Sequence, residues 1–126
     1  YHSVVDEVIS ELEQIREMFY AAGVAPEQII IDPGLGFSKD GSANWELLRA
    51  ADRLNAMGHR VLIGASRKRF LGSLLTRDGE PVPPVERDSA TAAVTALAAF
   101  SNAWCVRVHN VGPSIDAVKT AAAWKG

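Results

Sequence analysis

The stretch IIIDPGLGFSKDGSANW, residues 29–45, decides the fold of this chain. A run of isoleucines reaches Asp32, breaks at Pro33-Gly34 and gives way to a helix after Ser42. This order of strand, carboxylate, glycine-containing loop and helix is typical of parallel α/β proteins, whose ligands bind at the carboxyl ends of the strands. We therefore expect a ligand site just beyond Asp32.

Two later segments repeat this arrangement, RVLIGASRKRFLG at 60–72 and WCVRVHNVGPSIDAV at 104–118. Each places charge directly after an apolar run. Because parallel strands end at the same edge of a sheet, the three strand ends should share one rim. The charged residues that follow the two runs are Arg67, Lys68 and Arg69 in the first segment, and Arg107 and His109 in the second.

Composition places the 126 residues among ordinary globular proteins, with 48% hydrophobic and 22% charged residues. The net charge of −2 gives no basic field, so we expect no nucleic-acid and no membrane partner. A single cysteine excludes an internal disulfide and any multi-cysteine metal site. No apolar run approaches the ~20 residues that cross a bilayer. The chain begins at Tyr1 without a methionine, which suggests a fragment.

Hydrophobic periodicity predicts strands alternating with helices. An amphipathic helix over 3–22 is capped by Ser3 with Asp6 and stopped at Gly23. The other predicted elements are strands at 28–32, 60–64 and 104–109, a helix from Ser42 to Gly58, a short helix containing Phe70 to Leu75, a proline-rich loop at 76–87, an alanine-rich helix over 88–101 capped by Asp88, and a helix that begins at Pro113.

The spacing of the strands indicates the architecture. Their centres near Ile31, Ile63 and Val106 lie 32 and 43 residues apart. A TIM barrel averages about 31 residues per strand–helix unit, so the second interval carries the proline loop as an insertion. Three strands cannot close a barrel. We predict an α/β fold that is the C-terminal portion of a (β/α)₈ barrel, with residues 1–126 forming one incomplete barrel domain.

Two interpretations are open for each residue in the first loop. Asp32 either caps the amides of residues 34–36 or accepts hydrogen bonds from the N–H groups of a flat heterocycle. Phe37 is either a core residue or a wall for such a ligand. The glycine spacing matches neither GxGxxG nor a P-loop, so no nucleotide motif applies.

The three cations after the second strand also have two possible roles, as surface charges or as ligand-binding residues. Arg67 and Arg69 suit a solvated surface or a ligand equally well. Lys68 lies immediately after the strand, where a lysine can reach across the barrel mouth, so it is the better ligand candidate.

Arg107 and His109 lie two residues apart on the last predicted strand and therefore point to one face. At the mouth of a barrel they could bind an anion, because TIM barrels often build phosphate sites after strands seven and eight. The alternative is an internal salt bridge to a carboxylate.

The motifs DPGLGF, GASRKRF and RVHNV at these intervals resemble the dihydropteroate synthase family of folate biosynthesis. The resemblance covers essentially the whole chain and corresponds to the C-terminal half of such an enzyme. It implies condensation of 6-hydroxymethyl-7,8-dihydropterin diphosphate with p-aminobenzoate, with release of diphosphate in the presence of Mg²⁺. Separately, the alanine-rich helix 88–101 presents more apolar surface than one barrel face requires, so we expect it to form a homodimer interface. We also expect the protein to be cytoplasmic.

The resemblance implies a role for each matching residue. Asp32 and Lys68 are the implied catalytic residues. Asp32 would bind the pterin ring, and Lys68 would bind the pterin and line the p-aminobenzoate site. The other implied substrate-binding residues are Phe37 and Arg69 beside p-aminobenzoate, and Ser66, Arg107 and His109 on the diphosphate.

The chain departs from that family at Asn110, where an aspartate is common, and it lacks the family's N-terminal motifs. We therefore expect the 126 residues alone to be inactive. Two other functions are open: a methyltetrahydrofolate-binding module for methyl transfer, and a catalytically silent pterin-binding paralogue.

Overall fold

Parallel strands run through the middle of the fold. The computed structural model describes residues 3–36 and 41–126, and in these ranges three strands form one sheet in the order β1-β2-β3. Strand β1 (Ile30–Ile31) pairs with β2 (Arg60–Ile63), and β2 pairs with β3 (Cys105–Val106). Because both pairings are parallel, all three strands end at the same edge, as the sequence predicts.

Helices follow each strand, which is the α/β order that the sequence predicts. The first helix begins at Ser3, whose Oγ accepts a hydrogen bond of 3.1 Å from the Asp6 amide, so the predicted cap is confirmed. The α-helices are α1 (Val4–Ala21), α2 (Gly41–Arg49), α3 (Ala51–Asn55), α4 (Arg69–Leu74), α5 (Asp88–Phe100) and α6 (Val111–Lys125), and short 3₁₀ helices cover Pro26–Gln28 and Pro84–Arg87.

The core lies between the sheet and the helices. Leu35 from the first loop, Leu47 from α2 and Leu71 from α4 are fully buried beside Val61 and Ile63 of β2. Burial of such leucines stabilises the fold by roughly 1.5–3 kcal/mol each. On the same side, Trp45 and Phe70 meet edge to face with ring centroids 5.1 Å apart.

The strands are shorter than predicted, and this changes one inference. Strand β3 ends at Val106, so Arg107 and His109 do not share a face of a strand. The Arg107 amide still donates to the Ile63 carbonyl at 3.0 Å. The His109 amide instead donates to Ser66 Oγ at 3.1 Å, because the chain has left the sheet by that point.

Several predicted boundaries are wrong. The helix predicted over 42–58 is divided at Ala50, whose φ of −91° and ψ of 23° interrupt the helical backbone. Helix α2 already includes Gly41, so Ser42 lies inside it. Likewise α6 begins at Val111 rather than Pro113. The predicted loop 76–87 ends in a 3₁₀ turn because Pro84 has the backbone angle that such a first position needs.

The described residues include no helix that is both long enough and apolar enough to cross a membrane.

Candidate functional site

Asp32 lies at the end of β1, where it has partners on both carboxylate oxygens. Its Oδ1 accepts a hydrogen bond of 2.9 Å from the Gly34 amide, so the loop-capping interpretation is correct as far as it goes. Its Oδ2 lies 3.5 Å from Arg107 Nη1. The side chain is nevertheless 38% exposed, which leaves the carboxylate accessible to a ligand.

Arg107 reaches back from the end of β3 toward β1. Its guanidinium lies over Gly64, where a Cβ atom would come within 2.4 Å of Nη2, so a side chain at this position would displace the guanidinium. The salt bridge that the sequence left open is therefore present, with Asp32 as the partner. It is long and made through one nitrogen, and the Arg107 side chain is 55% exposed. Such an exposed pair holds the arginine weakly.

Ser66 and His109 connect the ends of β2 and β3. Ser66 is buried, and its Oγ lies 2.8 Å from His109 Nδ1 while it also accepts the His109 amide. When the serine hydroxyl donates to Nδ1, the neutral ring carries its hydrogen on Nε2. The ring then offers a donor to a ligand at the rim.

Lys68 connects the ends of β2 and β1. Its Nζ donates to the carbonyl of Leu35 in the first loop. The half-buried side chain thus crosses from one strand end to the next, as the sequence predicts.

Arg67 is not a solvated member of the cation run, and that interpretation is wrong. Its Nε and Nη2 donate to the two carboxylate oxygens of Asp88 at 2.9 and 3.0 Å. The two side chains are only 27% and 21% exposed. This pairing raises the pKa of the Arg67 guanidinium and holds the pKa of the Asp88 carboxyl below its ordinary value.

Asp88 consequently does not cap α5 as predicted. It is the first residue of the helix, and the capping position belongs to Arg87, whose side chain makes no capping hydrogen bond. The Asp88 carboxylate is instead directed at Arg67, and Asn110 Nδ2 also reaches it at 3.4 Å.

The remaining predicted site residues lie apart from these contacts. Arg69 is exposed at the first position of α4. Phe37 lies outside the described residues.

The described contacts join all three strand ends into one rim. Asp32 with Arg107 connects β1 and β3, Ser66 with His109 connects β2 and β3, and Lys68 connects β2 to the first loop. The structure therefore brings together Asp32, Ser66, Lys68, Arg107 and His109, and their roles toward ligands remain predictions. A rim with three cationic or hydrogen-donating side chains and one accessible carboxylate suits a ligand that carries both an anion and N–H donors.

Comparison with known proteins agrees with this arrangement. The family described as "pterin binding enzyme" matches residues 1–109. This chain belongs to that family. It is also 52% identical over 125 residues to the dihydropteroate synthase of Mycobacterium leprae, covering 98% of this chain.

Solved structures of the pterin-binding family have the same fold. The dihydropteroate synthase of Xanthomonas albilineans in complex with 7,8-dihydropteroate superimposes with a TM-score of 0.93 at 36% identity over the whole chain. The same enzyme with 4-aminobenzoic acid gives a TM-score of 0.92. The predicted TIM-barrel family and the partial barrel are thereby confirmed.

The chain spans less than half of these relatives. It covers 44% of the Mycobacterium leprae protein and 47% of the Xanthomonas albilineans chain with bound dihydropteroate.

Two polar residues that contact the rim segments escaped the sequence analysis. Asn44 is buried on α2, and its Oδ1 accepts the Gly36 amide at 2.8 Å, which fixes the glycine loop. Thr91 is buried on α5, and its Oγ1 accepts the Arg67 amide at 3.2 Å. Both lie three residues before an inward leucine or valine, Leu47 and Val94. A polar residue in an apolar helical stripe was therefore the available signal.

The described ranges contain no three-residue cluster of metal-ligating side chains at the rim. No three histidine, cysteine, aspartate or glutamate side chains of residues 3–36 and 41–126 converge on one point. These residues therefore provide no cage that would hold Mg²⁺ without a substrate.

Proposed function

We propose that this chain supplies the anion-binding part of a dihydropteroate synthase site. The observation that carries the proposal is the joined rim, in which Lys68, Arg107 and His109 surround the strand ends beside Asp32. Similar enzymes have been solved with 7,8-dihydropteroate and with 4-aminobenzoic acid, which supports a pterin and an aromatic amine as the substrates.

The reaction is the condensation of 6-hydroxymethyl-7,8-dihydropterin diphosphate with p-aminobenzoate. The amine nitrogen attacks the exocyclic methylene carbon, a C–N bond forms, and the C–O bond to diphosphate breaks. Diphosphate leaves with the bonding electrons, and the amine releases a proton to solvent. The amine is already nucleophilic, so the site contributes orientation and charge stabilisation rather than a strong base.

Arg107, His109 and Ser66 hold the diphosphate. Negative charge develops on the bridging oxygen as it leaves, and fixed donors at that position stabilise the transition state. Arg107 is suited to this because its single contact of 3.5 Å with Asp32 leaves much of the guanidinium exposed. Ser66 is buried and fixes the His109 ring through two hydrogen bonds.

Asp32 and Lys68 contact the pterin. Asp32 accepts hydrogen bonds from ring N–H groups and stabilises the electron-poor pterin that remains as diphosphate departs. Lys68 lies between this ring and the p-aminobenzoate site, where Arg69 and Phe37 are the further contacts that the resemblance implies.

Mg²⁺ belongs to the proposal through the substrate. Magnesium is commonly held by one or two carboxylates together with substrate phosphates. Because the described residues provide no cluster of ligands, the ion would be held by the diphosphate or by residues of the N-terminal half of such an enzyme, and no step is assigned to it.

A homodimer through helix 88–101 is also proposed, in the cytoplasm. Helix α5 exposes Leu97 at 68% and α6 exposes Trp124 at 82%. Together with Phe100 and Ala121 they line an apolar groove of about 340 Å³. Covering such side chains is favourable, and small alanines on α5 allow a second helix to approach closely.

Binding of p-aminobenzoate to the full-length protein that carries these residues tests the proposal. We expect calorimetry to detect binding only when the pterin and diphosphate are both present, and turnover when the pterin diphosphate is supplied. Binding without turnover would indicate the silent paralogue. Methyl transfer from methyltetrahydrofolate, without p-aminobenzoate binding, would overturn the proposal in favour of the methyltransferase module.

A further inference from the structure

Arg67 has an unusual backbone conformation for an arginine. Its φ of 58° lies in the left-handed region, which side chains other than glycine rarely adopt. It occupies the tight turn after β2 that the Lys68 amide closes by donating to the Ala65 carbonyl at 3.1 Å. The residues on either side of it are Ser66 and Lys68, so the shape of this turn sets where both side chains point.

Three residues of a distant segment hold Arg67, and we name them the Arg67 clamp: Arg87, Asp88 and Thr91. Thr91 Oγ1 accepts the Arg67 amide at 3.2 Å. Arg87 Nη1 donates to the Arg67 carbonyl at 2.7 Å. Asp88 accepts from the guanidinium through both of its oxygens. The amide, carbonyl and side chain of one left-handed residue are therefore all fixed from outside the turn.

Arg87 is itself held in place by contacts with two other segments. Its Nε donates to the Val82 carbonyl at 2.8 Å. Its guanidinium lies flat against α4 at Gly72, where a Cβ atom would come within 2.4 Å of Nε. The planar guanidinium thus bridges the proline-rich segment and the turn, which a lysine could not do with the same geometry.

Asp88 extends the clamp to the end of β3. Asn110 Nδ2 reaches Asp88 Oδ2 at 3.4 Å, and Asn110 directly follows His109. The pKa of Asp88 is lowered chiefly by its hydrogen bonds with Arg67, and the hydrogen bond from Asn110 and the Coulombic effect of His109 add to this. The clamp therefore touches both chain segments that carry the predicted diphosphate ligands.

We propose that the Arg67 clamp is a positioning device for the rim: it holds the Ser66–Lys68 turn in the left-handed form that directs Ser66 to His109 and Lys68 to Leu35. None of its members touches the substrates. The effect on turnover rests on the proposed function, whereas the effect on Lys68 rests on the contacts alone.

Arg87→Ala in the full-length protein tests the clamp by two independent measurements. Loss of the Arg67 carbonyl contact should expose Lys68, so its acetylation by an amine-directed reagent, followed by mass spectrometry, should accelerate about tenfold relative to Lys119. Turnover should lose about tenfold in kcat with a change in KM of less than about threefold. Added guanidinium should reverse at least half of both changes by filling the vacated space, whereas tetramethylammonium, which carries the same charge but can neither donate hydrogen bonds nor be acetylated, should not.

Arg77→Ala is the matched control, since Arg77 belongs to the same proline-rich segment but pairs with exposed Glu86 at 2.9 Å. It should change neither measurement. If Arg87→Ala fails to fold, Thr91→Val removes only the hydrogen bond to the Arg67 amide, and it should accelerate Lys68 acetylation in the same direction. Unchanged acetylation of Lys68 in a folded clamp variant overturns the clamp. An inactive wild-type protein with accelerated acetylation in Arg87→Ala overturns the proposed function and leaves the clamp standing.

Discussion

Two arginines that follow neighbouring strands have opposite surroundings. Arg67, after β2, is held by two short hydrogen bonds to Asp88 and is largely covered. Arg107, after β3, has a single 3.5 Å contact with Asp32 and is more than half exposed. The first arginine is bound by the protein, whereas most of the second is exposed and, under the proposed function, contacts the ligand.

The difference shows how a cation at a strand end can be assigned either a structural or a ligand-binding role. Both residues follow an apolar run, and the sequence alone left Arg67 equally suited to a solvated surface or to a ligand. Bidentate pairing fixes a guanidinium and satisfies its donors within the protein, while a long single contact keeps donors accessible to an anion. Exposure and pairing therefore separate the arginine that is fixed within the protein from the one that we propose binds the ligand.

The largest expected effect is at Lys68, the cation that directly follows Arg67 in the chain. Lys68→Ala should lower kcat/KM of the full-length protein by at least about 100-fold, or roughly 2.7 kcal/mol of transition-state stabilisation. The reason is that Lys68 is proposed to contact both substrates. Steady-state kinetics measure the loss, and a reduction below about fivefold would remove Lys68 from the site.

Arg107→Gln should have the next largest effect. We expect kcat/KM for the pterin diphosphate to fall about 30-fold, because a charge-assisted hydrogen bond to the leaving group is lost. The melting temperature should remain within about 2 °C, since an exposed and long ion pair contributes little to stability. A large drop in melting temperature would place Arg107 with Arg67 as a structural residue.

Arg67→Gln should show the reverse pattern. Its melting temperature should fall measurably, and kcat should drop about tenfold because the turn is no longer fixed. Arg67→Gly separates the two causes, since glycine accepts the left-handed backbone without the guanidinium. Equal kinetics in both variants would show that the side-chain pairing, not the backbone, matters.

Asp88→Asn should change the acid stability of the protein. Pairing with Arg67 lowers the pKa of Asp88 in the folded state, so the pairing stabilises the fold above the ordinary aspartate pKa of about 3.9. This contribution is lost as the pH falls through the lower, folded-state value. Urea unfolding measured from about pH 5 to about pH 2 should therefore show that the free energy of unfolding falls less steeply with decreasing pH in the variant than in the wild type.

Asp6 provides the control for that measurement. Its pKa is also lowered, chiefly by its hydrogen bond with Arg53, but it lies on α1 far along the chain from the rim. Asp6→Asn should likewise flatten the acid decline and leave kcat/KM unchanged. A loss of turnover in Asp6→Asn would mean that any turnover lost in Asp88→Asn reflects general destabilisation of the fold.

The smallest expected effect is at Arg77, the exposed partner of Glu86. Arg77→Gln should change kcat/KM by less than about twofold and the melting temperature by less than about 2 °C. Thermal denaturation and steady-state kinetics check both. A larger effect would show that the proline-rich segment supports the rim through contacts other than the Arg67 clamp.

The order of strands and helices and the shared rim at the strand ends could be predicted from the sequence. Periodicity and strand spacing are local properties, so they predicted the parallel strands and the partial barrel that the structure and the relatives confirm. The placement of Asp32, Lys68 and His109 followed from their position after apolar runs.

The clamp could not be predicted because its contacts join residues about twenty positions apart. Asp88 had the appearance of a helix cap, and only the fold brings Arg67 close enough to take its carboxylate. The early end of strand β3 could not be predicted for a similar reason. The His109 amide donates to the Ser66 hydroxyl of another segment rather than to a neighbouring strand. Local patterns do not contain such competing partners.

Affinity for inorganic diphosphate tests most directly whether Arg107 binds the ligand and Arg67 serves the structure. We would measure it by calorimetry on folded full-length wild type, Arg107→Gln and Arg67→Gln, with pterin present. The account predicts that Kd rises about tenfold or more in Arg107→Gln, from a lost charge-assisted bond, and by less than about threefold in Arg67→Gln. Equal increases in the two variants, or a larger one in Arg67→Gln, would contradict it.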